Sequence, residues 1–125
     1  MLQKYIYICY TFRLTKTSLE ELTDLCNKLN GKKYLVMGNH DYRYGKSFFE
    51  KVGFEDVEKK EMKIGNIILT HFAKLVDSGY INIYGHIHDK PVSAEFDDDK
   101  HYCISLERTE YYPIRLDTVI ESCQK

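Results

Sequence analysis

Three short segments of this 125-residue chain carry side chains able to do chemistry together: Gly38-Asn39-His40-Asp41, Thr70-His71 and Gly85-His86-Ile87-His88. They contain four of the five histidines. Neutral imidazole nitrogen and amide oxygen are good donors to borderline divalent ions such as Mn, Zn and Fe. His86 and His88 stand two apart, which in extended backbone turns both rings to one side. Gly38 and Gly85 give tight turns that free the following side chains to face a crevice. Asp41 follows His40 directly and is an acceptor that can fix the tautomer of its ring. None of these features is specific alone, because H-x-H pairs and N-H-D tripeptides recur on protein surfaces.

Each segment follows a short apolar run, Lys33–Met37, Ile67–Leu69 or Tyr80–Tyr84, of the kind that forms a buried strand. The histidines therefore fall at strand ends, where α/β sheets place ligand sites. The remaining pattern fits such a sheet. Tyr5–Tyr10 is an apolar strand, too short for a membrane span. Leu19, Leu22, Leu25, Cys26 and Leu29 repeat at helical spacing, with Ser18 as N-cap and Glu21 completing a capping box, and Asn30-Gly31 ends the helix. Strand, helix and strand make one βαβ unit. A second helix is expected over Lys46–Val52, closed by Gly53. Gly65-Asn66 marks the turn of a hairpin. Asp97–Lys100 is a polar turn, Tyr102–Leu106 and Ile114–Leu116 read as strands, and Asp117–Cys123 as a terminal helix. His101, in the charged turn, is read as non-functional.

Length and composition set wider bounds. The chain is the size of one domain, residues 1–125, and 43% hydrophobic with 30% charged residues suits a folded core. A formal net charge of −1 offers no basic field for duplex nucleic acid or an anionic membrane. Eleven Tyr and no Trp are read as packing residues. Cys9, Cys26, Cys103 and Cys123 form no C-x-x-C pair, and with no secretory signal they read as buried free thiols of a cytoplasmic protein.

The order G-N-H-D, then an apolar strand ending in T-H, then G-H-x-H, resembles the later motifs of calcineurin-like metallophosphoesterases. The resemblance covers roughly residues 5–116. It implies an α/β fold with a mixed sheet layered with helices, as an incomplete form of that family's sandwich. It also implies hydrolysis of phosphate mono- or diesters. By the same resemblance Asn39, His71 and His86 match ligands of one metal and His88 a ligand of the other. His40 matches the catalytic histidine that faces the phosphate, and Asp41 would orient it. Arg43, between Tyr42 and Tyr44, is a candidate bidentate phosphate donor, against the alternative of a solvated loop.

The family's earlier motifs, D-x-H and G-D, have no counterpart here. In the best match to G-D-F, Tyr10-Thr11-Phe12, Thr11 stands where the bridging Asp belongs. A neutral hydroxyl is a poor substitute for a carboxylate. The expectation is therefore at most one divalent ion (Mn, Zn, Fe or Ni) in the isolated chain, and a truncated or degenerate phosphoesterase with weak or no turnover. A catalytically inactive remnant serving as a binding or assembly module is the alternative, and an incomplete reading frame a third. The chain begins about where the family's second strand begins, so self-association or a partner chain is expected to cover an open sheet edge. The His71–Gly85 spacing is short for the family, and Phe72-Ala73 replaces a common Pro.

Overall fold

The computed structural model describes residues 5–8, 19–39, 41–87, 89–110 and 114–123. The chain is α/β and divides into two compact units, Met1–Lys60 and Glu61–Lys125, each built on its own sheet.

In the first unit, β1 (Tyr5–Ile8), β2 (Lys32–Val36) and β3 (Asp56–Glu58) form a parallel sheet in that order. The expected βαβ unit is present, with α1 (Leu19–Asn27) between β1 and β2. Ser18, the expected N-cap, lies outside the described residues, as do Cys9 and Tyr10. The apolar stripe of α1 is narrower than its periodicity suggests. Leu22 and Cys26 are buried and Leu29 half-buried, whereas Leu19 and Leu25 face solvent, Leu25 at 47% exposure. Spacing of i, i+4 and i+7 keeps one face toward the core, while Leu25 stands about 100° away from Cys26 around the axis.

The second helix, α2 (Gly45–Val52), follows a 3-10 turn at Tyr42–Tyr44 and ends as expected at Gly53. There φ is +131°, and the Gly53 N–H donates to the carbonyls of Phe49 and Glu50. Leu22 and Cys26 of α1, Leu35 of β2, Met37, Phe49 and Val52 of α2, Phe54 and Val57 of β3 make the core. Phe49 is fully buried, edge-on to Phe48 and Phe54.

The second unit carries β4 (Glu61–Ile64), β5 (Ile67–Thr70), β6 (Ile81–Tyr84) and β7 (His101–Cys103), in that spatial order. The expected hairpin joins β4 and β5, antiparallel, with Ile64 opposite Ile67 across Gly65-Asn66. Gly65 takes φ +59° at the first turn position, a conformation that suits glycine. β5, β6 and β7 are parallel, and every residue of β5 and β6 is buried. That explains their continuous apolar sequences.

Two expectations fail here. The strand read over Tyr102–Leu106 is shifted to His101–Cys103, and a 3-10 turn starts at Leu106. Ile114–Leu116 is no strand: Leu116 opens α3 (Leu116–Cys123), which buries Val119 and packs against β7. Three residues, two of them apolar, hold a strand only where a neighbour completes the ladder, and a longer amphipathic segment continues from Leu116. Cys26, Cys103 and Cys123 are free thiols; Cys26 is buried as expected, whereas Cys103 and Cys123 are half-buried. No described helix is long and apolar enough to cross a membrane.

Candidate metal centre

β5 and β6 run parallel and adjacent, so Thr70-His71 and Gly85-His86 leave the sheet side by side at its carboxyl end. The Gly85 N–H donates to the His71 carbonyl at 3.0 Å, extending the ladder beyond the strands. The two imidazoles converge: His71 Nε2 lies 3.1 Å from His86 Nδ1, with ring centroids 5.0 Å apart and planes at 71°. His71 is buried, at 3% exposure, and His86 half-buried. Phe72 closes the group, its centroid 4.8 Å from that of His71 and 4.5 Å from that of His86.

The backbone at His86 departs from the extended form expected for the H-x-H segment. His86 has φ +67°, and the Ile87 N–H donates to the Gly85 carbonyl at 2.8 Å. Together these define a γ-turn of the rare positive-φ kind. A non-glycine residue held there is strained by roughly 1–3 kcal/mol, sustained by its surroundings. The physical reason is the close approach of the two rings: the chain turns sharply after β6 so that His86 reaches His71. The alternation argument for His86 and His88 therefore does not apply, and His88 lies outside the described residues.

Sequence reasoning missed the support beneath His71. Asn82, in the middle of β6 and fully buried, donates to the Ile68 carbonyl (3.0 Å) and to Thr70 Oγ1 (2.9 Å). Its Oδ1 accepts the Lys74 N–H at 2.9 Å. Thr70 Oγ1 in turn donates to the Phe72 carbonyl at 2.6 Å. The signal was present as a lone amide in the apolar run Ile81-Asn82-Ile83-Tyr84, since a buried polar side chain needs partners.

In the first unit, Asn39 and Asp41 follow the carboxyl end of β2. Asp41 is fully buried, and its Oδ2 accepts the Gly38 N–H at 3.0 Å, while the Asp41 N–H donates to the Gly38 carbonyl at 2.8 Å. Its carboxylate braces the loop. Asn39 is exposed, and His40 lies outside the described residues. Arg43 is exposed, its guanidinium 5.8 Å over the Tyr44 ring, and burial with the nearby Asp41 charge pushes the Tyr42 phenol up from its ordinary range.

Two imidazole nitrogens bound tetrahedrally to one Zn at about 2.0–2.1 Å stand roughly 3.3 Å apart. His71 Nε2 and His86 Nδ1 are within hydrogen-bond distance of each other at 3.1 Å, a separation that also lies close to that ligand spacing. Among the described residues no group of three or more His, Cys, Asp or Glu could hold a metal.

No protein-family model matches the chain, and no curated protein matches it. Among solved structures it is similar to a protein of unknown function, AQ665, from Aquifex aeolicus. The TM-score is 0.61 at 22% identity, over 94% of this chain and 75% of that one. The likeness is one of fold.

Proposed function

We propose that the chain is a metal-dependent phosphoesterase of the calcineurin-like kind, acting on phosphate mono- or diesters, degenerate in its metal ligands and weakly active or inactive alone. The observation that carries this reading is the His71–His86 pair, two nitrogen donors 3.1 Å apart at the carboxyl ends of adjacent parallel strands. The motif order G-N-H-D, T-H, G-H-x-H supports it.

His71 and His86 would hold one metal ion, which would supply Lewis-acid polarisation of a phosphoryl oxygen when bound; the family resemblance adds Asn39 as a ligand of that ion and gives His88 to the other. His40 donates a proton to the departing ester oxygen. Asp41 keeps the loop of His40 closed through its bonds to Gly38. Arg43 contacts the phosphate from the adjoining turn. A cytoplasmic setting belongs to the same proposal. The competing reading, an inactive module for binding or assembly, is favoured by Thr11 at the place of the bridging carboxylate.

Metal content tests the proposal directly. Protein dialysed against Zn without chelator should carry at most one ion per chain, and His71→Ala and His86→Ala should carry none. Occupancy should fall below about pH 6.5, where free imidazole protonates and competes with the ion. No uptake at all would remove the metal reading. Two tightly held ions would demand carboxylate ligands, with Asp41, Asp77 and Asp89 the first to examine. Any hydrolysis of a chromogenic phosphodiester should vanish in His40→Ala; turnover surviving that change would take the proton-donor role from His40.

A further inference from the structure

His101 opens β7 with its side chain enclosed, only 1% exposed, and both of its ring nitrogens face acceptors. Nδ1 lies 2.7 Å from Asp98 Oδ1, a carboxylate oxygen, and Nε2 lies 2.9 Å from the Lys74 carbonyl oxygen. A neutral imidazole has one N–H and satisfies one such partner; only the imidazolium form donates to both. Lys74 is held from its other side as well, its N–H donating to Asn82 Oδ1. Asn82 and His101 are paired across the β6–β7 ladder, so two neighbouring side chains grip the two peptide units that flank Lys74, in the chain leaving His71.

We infer that His101, doubly protonated between Asp98 and the Lys74 carbonyl, acts with Asn82 as a positioning residue that latches the segment after His71 onto the sheet. The groups around the ring agree with that charge. Asp98 supplies the negative partner, and the Phe96 ring lies 5.2 Å away. Asn82 is neutral, the Lys74 ammonium is engaged by Glu61, and the Lys100 ammonium points to the Val76 carbonyl at 3.4 Å. Burial pushes the Asp98 carboxyl up, but bonds from His101 and from the Lys100 N–H hold it below its usual range, as an ion.

The latch depends on pH through Asp98. Protonation of that carboxylate as pH falls removes the charged acceptor. The segment is thus held more firmly while Asp98 is ionised. The consequence for the His71–His86 pair rests on the metal reading above, whereas the latch itself does not.

The test uses the full chain. Nitrogen-15 spectra of the His101 ring at neutral pH should show both nitrogens protonated, and the Lys74 amide, bonded to Asn82, should be protected from hydrogen exchange. Asp98→Asn should leave one ring nitrogen bare and speed exchange of the Lys74 amide by about tenfold, the scale of one lost charge-assisted bond, with Asp98→Glu restoring protection. Co(II) affinity of Asp98→Asn and His101→Gln should weaken while their circular dichroism stays native. A bare ring nitrogen in the unmodified protein at neutral pH overturns the inference. So does unchanged exchange of the Lys74 amide in folded Asp98→Asn. Latch signals present with no Co(II) uptake in any form would sink the metal reading alone.

Discussion

Single side chains decide whether the His71–His86 pair is held or merely adjacent. Asn82 satisfies three groups from inside β6, the Ile68 carbonyl, the Thr70 hydroxyl and the Lys74 amide. Asn82→Leu keeps the branched shape but removes the amide's bonds to the Ile68 carbonyl, the Thr70 hydroxyl and the Lys74 N–H. The cost should be about 2–4 kcal/mol, from one to three kcal/mol per buried group left unmet, less the gain of an apolar side chain. Urea unfolding would read this as a lower midpoint with an unchanged slope. A midpoint shift under half a kcal/mol would mean the amide adds nothing. His86 shows the opposite choice, a strained backbone kept in place where glycine would relax it.

At the level of elements, the end of α2 depends on a residue without Cβ. Gly53 has φ +131°, and a Cβ built there would stand 3.3 Å from the Cys26 sulfur of α1. Gly65 in the hairpin also has positive φ, +59°, but a Cβ there meets nothing within 4 Å. Gly53→Ala should therefore cost more than Gly65→Ala. We expect about 2–3 kcal/mol against about 1 kcal/mol, because the first adds crowding against a packed helix to backbone strain and the second adds strain alone. Denaturant midpoints of the two variants decide it, and equal losses would show that the approach to Cys26 is immaterial.

For the whole molecule, acid should act on the second unit through carboxylates that the fold holds ionised. Glu61 of β4 pairs with Lys74, whose hydrogen bond holds the carboxyl below its ordinary range against the opposing effect of burial. Asp98 is lowered too: burial raises it, and the bonds from His101 and from the Lys100 N–H, with the charges of those two residues, together outweigh that. A depressed folded-state value contributes stability at neutral pH that fades as pH falls below about 4, toward and through the folded-state value. Both groups are partly exposed, so each contribution is small and weakened by salt. Glu61→Gln should flatten the acid limb of the stability curve, followed by circular dichroism from pH 7 downward. The same acid limb in Glu61→Gln and the parent would show the pair to be idle.

What the sequence determined by itself was local. The βαβ unit, the stop at Gly53, the Gly65-Asn66 hairpin and the placing of His71 and His86 after buried strands all follow from periodicity and turn chemistry, which act over a few residues. The α/β class came with them, while the phosphoesterase sandwich stays a proposal. The tertiary structure decided what depends on distant segments. Leu19 and Leu25 fit the helical repeat yet face solvent, because only packing tells which side of a stripe is covered. Ile114–Leu116 had the composition of a strand, but Leu116 opens α3 instead. His86 left the extended form because its ring meets His71, fifteen residues earlier. His101, read as a non-functional histidine of a charged turn, is buried with an acceptor at Lys74, twenty-seven residues away. A buried polar group is stable only when its partners arrive with it, and no local pattern records which remote carbonyl or ring will be there.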